Sequence, residues 1–361
     1  MSARLLSLPV ARPDSQVQSI MAVVMLALTP ATLFGLFIFG WPALLLFVVT
    51  VLSALFFEAG CLILAGRPVR LTLLDGSAAL TGWLLAMTLP PWAPWWIGVV
   101  GAGLAIVIGK QVFGGLGQNI FNPAMLARVA LLVSFPLEMT TWAQPLPPAP
   151  LSPLAPDVLG GLAITFGGVA PADGLTGATL IGHVKTEFSQ GHGLSQSLVS
   201  GGYHGFKSFV GWIGGSMGET SSLLLLGGGL WLLKRKVITW HIPVSMLLTV
   251  TLLAGLFALI DSERYPGPLF HLTSGALLLA AFFIATDYVT SPSSPVGQLI
   301  FGAGCGLIVY VIRTWGAYPE GVAFAVLLMN SLTPVIDHYV RPRIYGRDHK
   351  GRPLDLPGGN E

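Results

Sequence analysis

SIMAVVMLALTPATLFGLFIFGWPALLLFVVTVLSALFFEAGCLILA, residues 19–65, carries one charged side chain, Glu58. An α-helix rises about 1.5 Å per residue, so about 20 apolar residues cross a hydrocarbon core roughly 30 Å thick. This stretch is long enough to cross twice. The reading is two spans, near Ser19–Phe39 and Pro42–Ala65. Neither has the polar face that a helix on a water-soluble core needs.

The pattern repeats outward from there. Further apolar runs lie near Ser77–Pro90, Trp95–Lys110, Ala124–Phe135, Ser221–Leu233, Ile242–Ile260, Leu272–Ala285, Gly297–Ile312 and Gly321–Val335. Only 9% of residues are Asp, Glu, Lys or Arg and 53% are hydrophobic, against roughly a quarter charged in soluble proteins. The expected fold class is an all-α polytopic membrane protein of about ten transmembrane helices. The first apolar run is followed at once by a second with no small-residue cleavage pattern between, so it is read as an uncleaved span.

The spans fall into two groups of five around a long segment. The expected organisation is a tail (1–17), a first transmembrane half (18–137), an outer-face loop (138–216), a second half (217–339) and a basic tail (340–361). Ala86-Met87-Thr88-Leu89-Pro90-Pro91 ends the third span as Ile284-Ala285-Thr286-Asp287 with Pro292 ends the eighth, and Gly101-Ala102-Gly103 is matched by Gly302-Ala303-Gly304. An odd number of spans per half makes the halves inverted, an arrangement that places sites at interrupted helices. Arg4, Arg12, Arg67, Arg70, Lys110, Arg128, Lys234, Arg235, Lys236, Arg341, Arg343, Arg347, Lys350 and Arg352, 14 of the 18 Lys and Arg, fall in one set of connections, and Lys185, Lys207, Arg264 and Arg313 fall in the other. By the positive-inside rule the first set and both termini are cytoplasmic and the long loop lies outside, periplasmic in a bacterial inner membrane.

Cys61 and Cys305 are too few to hold an iron–sulfur cluster, the seven histidines show no i, i+4 pair, and Gly114-Gly115-Leu116-Gly117 follows no strand. No metal site, NAD site, nucleic-acid partner or catalytic triad is expected. Glu58 is the charged residue placed deepest in a span, and such acids are candidates for an ion pathway. Glu219 is placed at the outer start of the sixth span, while Asp75 and Asp287 sit where they would cap helices or be solvated.

In the long loop, Asp173-Gly174-Leu175-Thr176-Gly177-Ala178-Thr179 sets a hydroxyl beside small residues, with an acid six positions upstream. The string suits an exposed acceptor for a modifying enzyme, and it equally suits an ordinary turn.

Asp-x-x-Thr-Gly-Ala-Thr resembles the flavinylation motif of the NqrB/RnfD family, membrane subunits of Rnf and sodium-pumping quinone reductase complexes. The likeness extends to Lys110–Asn119 with Phe121–Met125, Trp240–Pro243, His271–Ala276 with Ala281–Asp287, Tyr318–Leu328 and Arg341–Gly346, nearly the whole chain. Compact length and a short N-terminal tail place it on the Rnf side. Thr176 stands where the family commonly has Ser, and Tyr288 where it usually has Pro. The resemblance implies FMN esterified through its phosphate to Thr179, with Asp173, Thr176, Gly177 and Ala178 forming the attachment site. It also implies a noncovalent riboflavin among the spans and an electron relay between reduced ferredoxin and NAD coupled to Na+ or H+ movement. The implied partners are iron–sulfur, NAD-binding and second flavin-carrying subunits, a flavin transferase and membrane lipid. Lys185 and Lys207 are candidates to neutralise the FMN phosphate. The alternatives are a quinone-reductase subunit and a non-redox transporter or channel with inverted repeats.

Overall fold

The computed structural model describes residues 13–147, 152, 154–169 and 176–341. The chain is helical almost throughout: α1 (Pro13–Leu64), α2 (Val69–Leu73), α3 (Ser77–Thr88), α4 (Trp95–Gly103), α5 (Pro123–Ser134), α6 (Pro136–Thr140), α7 (Val158–Gly167), α8 (Leu180–Ser189), α9 (Leu194–Ser200), α10 (Gly205–Val210), α11 (Ser222–Lys234), α12 (His241–Ile260), α13 (Pro268–Thr273), α14 (Leu277–Leu279), α15 (Pro295–Trp315) and α16 (Val322–Tyr339). π-Helical turns extend α4 over Leu104–Gln111 and α14 over Ala280–Ile284.

α1 is two helices joined at Gly40, whose φ of 68° and ψ of −152° only glycine adopts easily. The arms fold back on each other. Trp83 on α3 donates to Thr32 Oγ1 of the first arm and packs edge-on against Phe47 of the second. At the far end of α3, Gly76 faces Met21 and Met25, while Ser77 accepts a bond from Lys110, which also reaches Glu58. Positions equally distant from Gly40 therefore meet at one level, and the two expected spans form a hairpin. Its tip is held by Trp92 Nε1 donating to Phe39 O and Leu146 N donating to Ile38 O.

Two clusters of helices pack alike through glycines. In the first, Gly98 faces Leu46 and Thr50 of the second arm, and Gly101 faces Leu131 of α5. In the second, Gly302 and Gly306 face Ile242 and Met246 of α12, and Gly304 faces Met329 of α16. Missing side chains let the backbones approach closely, as at helix interfaces in lipid. α5 and α16 run antiparallel: Asn122 N donates to the Asn330 carboxamide, while Arg128 and Leu132 line a cavity with Val322 and Phe324. Val244, Leu248, Leu252, Leu256 and Leu259 leave an apolar stripe of α12 exposed, as a lipid-facing helix requires.

The protein is a helical membrane protein. Among the described residues four helical stretches, Gln16–Leu64, His241–Ile260, Pro295–Trp315 and Val322–Tyr339, are long and apolar enough to cross a membrane, and five apolar helices are shorter. The eighth run differs from expectation. It breaks at Ser274-Gly275-Ala276, between α13 and α14, in addition to the turns after Ile284. Gly275, at φ +72°, makes that extra break.

The long loop also differs. Its second part is built, with α8 and α9 packing with Phe270 of α13 around a small core of Leu180, Ile181, Val184 and Leu194, and α10 against α11 and α13. Among the described residues there is one sheet, a two-strand antiparallel ladder of β1 (Trp142–Ala143) with β2 (Thr176–Gly177), so the chain is not wholly α. Thr179, α8 and the hairpin tip share one end of the molecule.

Candidate functional site

The ladder delivers the chain to Thr179. Trp142 pairs with Gly177 and Ala143 with Thr176, so the strand ends two residues before the hydroxyl. Thr179 then leaves the helical region (φ −63°, ψ 160°) and caps α8, its Oγ1 accepting from Gly182 N at 3.2 Å. Threonine suits this position because its oxygen satisfies an N–H that has no partner within the helix.

The threonine expected to be accessible is 3% exposed, while Gly177 and Ala178 beside it are open. Asp173 lies outside the described residues, and of Thr176 only the strand backbone is described. A cavity of about 590 Å³ opens next to Thr179, lined by Gln144, Gly177, Ala178, Leu180, His183 and Trp212 among others. His183 Nε2 lies 3.0 Å from Ser200 Oγ at its wall. A Cβ on Gly177 would stand 2.9 Å from Gln144 Nε2, so a side chain there would press on the wall.

Lys185 does not face this cavity. It donates to Ile312 O, Gly316 O and Tyr318 O at 2.8, 2.9 and 2.7 Å. Burial lowers its ammonium to about 8, which leaves it protonated at neutral pH with all three N–H bonds used. A phosphate-neutralising role for Lys185 is thereby replaced by an anchoring one. Lys207 is exposed on α10.

Beneath α8 the break in α13–α14 is closed by two charged residues. Arg313 donates to His271 O at 2.8 Å and Ser274 O at 3.0 Å, and pairs with Glu320 at 2.6 Å. Glu320 Oε1 also accepts from Ala276 N at 3.2 Å. Beside it, a cavity of about 40 Å³ is lined by Thr88 at the end of α3, Ala276 at this break, Arg128, Glu219, Trp142 and Tyr318. Arg128 is buried over the Trp142 ring at 5.4 Å, and its one hydrogen bond among the described residues goes to Met139 Sδ at 3.7 Å. Glu219 is buried and accepts from Ser216 Oγ at 2.9 Å.

At the opposite end of the bundle Glu58 is fully buried and pairs with Lys110 at 2.8 Å. Lys110 also donates to Ser77 Oγ at 2.7 Å, and the second oxygen of Glu58, Oε2, has no partner among the described residues. Glu58 thus finds its counter-charge within the chain. Lys110, Arg128 and Arg313, which the sequence places as cations at span ends, are all buried side chains. Asp75 and Asp287 act as turn acceptors, to Ser77 N and Val289 N. Sequence reading misses the Lys110, Arg313 and Glu320 pairings. The available signal is a charge adjoining an apolar run, which also describes an interfacial anchor.

Among known proteins, the model of the NQR2, RnfD, RnfE family matches residues 5–346. The chain is 60% identical over 340 residues to the D component of the ion-translocating oxidoreductase complex of Stutzerimonas stutzeri, covering 94% of this chain and 95% of that one. It is 52% identical to the protein of the same name from Halorhodospira halophila, covering 96% of each, and 44% identical to one from Escherichia coli, covering 95% and 98%. The fold and buried charges define a membrane protein of polytopic helical class. The chain belongs to the NQR2, RnfD, RnfE family.

Proposed function

We propose that the chain is the flavin-carrying membrane subunit of a redox-driven ion pump of the Rnf type, relaying electrons between reduced ferredoxin and NAD with Na+ or H+ movement. Its relatives carry the name of a component of an ion-translocating oxidoreductase complex. The observation that carries the flavin assignment is Thr179, which ends a flavinylation-like motif at the head of α8, at the mouth of a cavity of about 590 Å³. A helix N-terminus directs N–H groups and positive potential at a phosphate, so an ester at Oγ1 would be received by the first turn of α8. The adjoining cavity offers amide, imidazole, hydroxyl and indole groups for a polar aromatic ring. FMN held there supplies one- and two-electron transfer, while the protein sets its position and exposure. Because Thr179 Oγ1 is buried as a cap, the flavin transferase must act on a form in which the start of α8 is open.

The noncovalent riboflavin is assigned to the cleft near the Lys110 end, lined by Ser77, Lys110, Asn119, Asn122, Phe282 and Asp287. Asn119 Oδ1 there is buried without a partner among the described residues, an acceptor that a ligand donor would satisfy. The cleft encloses about 90 Å³, so a three-ring ligand requires it to widen.

Ten spans in two inverted halves are supported by the matched glycine packing and by the antiparallel α5–α16 pair. Removing the three buried cations from the count leaves the charge bias unchanged in sign, which supports cytoplasmic termini and a periplasmic Thr179. Glu58 remains the residue proposed for an ion pathway, now as a pair with Lys110.

In-gel flavin fluorescence of the denatured protein, made in a host with a flavin transferase, tests the assignment. The expected result is a fluorescent band and an FMN-mass adduct on the peptide spanning Thr179, both lost in Thr179→Ala. A dark band with unmodified Thr179 from such a host removes the assignment.

A further inference from the structure

The flavin-bearing helix and the interrupted helix are tied to the same short segment. We propose that Lys185 is the positioning residue of the Thr179 flavin, fixing α8 to the segment that closes the α13–α14 break so that flavin and break move as one body. The proposal rests on the flavin reading above.

Lys185 follows Thr179 by six residues, about 9 Å along a helix. Its ammonium reaches Ile312 O, Gly316 O and Tyr318 O, which lie in the last turn of α15 and the loop beyond. Ile312 O already accepts from Gly316 N and offers the ammonium its second lone pair, Gly316 O and Tyr318 O lie just past the helix, and the negative end of the α15 dipole favours a cation there. Three short bonds to three separate carbonyls fix a direction as well as a distance. α8 therefore has one seat on the loop, and its first turn lies beside that loop, where a Cβ added to Gly182 would stand 3.7 Å from Pro319.

The same segment closes the break. Where a helix is interrupted inside a membrane, its freed backbone groups need partners from elsewhere in the protein. Arg313 takes His271 O and Ser274 O, and Glu320 takes Ala276 N while pairing with Arg313. Both residues belong to the stretch 312–320 that Lys185 holds. A shift of that stretch moves the groups that close the break and the ammonium that seats α8 together. Lys185 touches neither Thr179 nor the cavity beside it, so its influence on the flavin is through position.

The experiment uses the assembled complex with Lys185→Met, Lys185→Arg and Glu320→Gln. Three quantities are read: covalent flavin per polypeptide by in-gel fluorescence, the midpoint potential of that flavin, and its reduction rate by stopped-flow absorbance. In Lys185→Met, full flavin content and an unchanged potential are expected, with reduction slowed roughly tenfold or more, since electron-relay groups tolerate little misplacement. Lys185→Arg restores most of the rate. Glu320→Gln, which does not touch α8, slows it in the same direction. Should Lys185→Met fail to assemble, the Glu320→Gln rate decides. Reduction within about twofold of the parent in the assembling variants, at full flavin content, overturns the proposal. A dark parent band refutes the flavin reading instead, and the proposal with it.

Discussion

Gly275→Ala separates a glycine needed for its backbone from one needed for its missing side chain. Gly275 sits at φ +72°, and a Cβ placed there would overlap Glu320 Oε1 and stand 2.5 Å from Arg313 Nη2. Holding alanine in the left-handed region costs about 1–2 kcal/mol. The larger cost is steric, because the methyl group must push the half-buried Glu320 away from the fully buried Arg313, and a buried charge left without its partner costs about 3–5 kcal/mol. Together these approach about 4–7 kcal/mol, a large part of the total stability of roughly 5–15 kcal/mol typical of folded proteins. The control is Gly168→Ala, at φ +67° with nothing among the described residues within 4 Å of the added Cβ, which carries the backbone cost. Thermal unfolding of the detergent-solubilised protein, followed by tryptophan fluorescence, compares the two. At roughly 2–4 °C per kcal/mol, Gly275→Ala should melt at least about 8 °C lower than the parent and clearly below Gly168→Ala. Equal melting of the two variants would show that the Arg313–Glu320 pair does not fill the space beneath Gly275, and would refute its role in closing the break.

Lys110→Met leaves Glu58 buried with no counter-charge and should cost about 3–5 kcal/mol; adding Glu58→Leu should recover most of it, both read by the same melting assay. Thr179→Ala removes the α8 cap at a cost of about 1 kcal/mol, while Thr179→Ser keeps it, so amide hydrogen exchange across residues 180–184 should quicken only in the first. Gly302→Leu puts a side chain where a Cβ already collides with Ser245 Oγ, forcing α12 and α15 apart; a loss of about 1–3 kcal/mol is expected, and unchanged melting would contradict the close packing.

The membrane class is legible because it is written locally. A run such as residues 19–65 buries apolar surface whatever its neighbours do, and its length alone calls for two spans. Thr88–Pro91 is readable as a helix end because its signal is local too, and α3 does stop at Thr88. The break at Gly275 is not readable as such. A lone glycine in an apolar run is common, and what makes this one a break is the pair Arg313 and Glu320, about 40 residues away in sequence.

By itself the sequence determined a chain that must live in a membrane, a turn between its first two spans, and a threonine set among small residues in a long connection. Only the tertiary structure decided that this threonine is a buried helix cap, that Glu58 is neutralised by Lys110, and that Lys185 grips backbone carbonyls in place of a phosphate. Hydrophobic length and turn preference act over a few residues and can be read in order along the chain. Buried charges cannot be so read, because each is tolerated only beside a partner that folding brings from a distant segment.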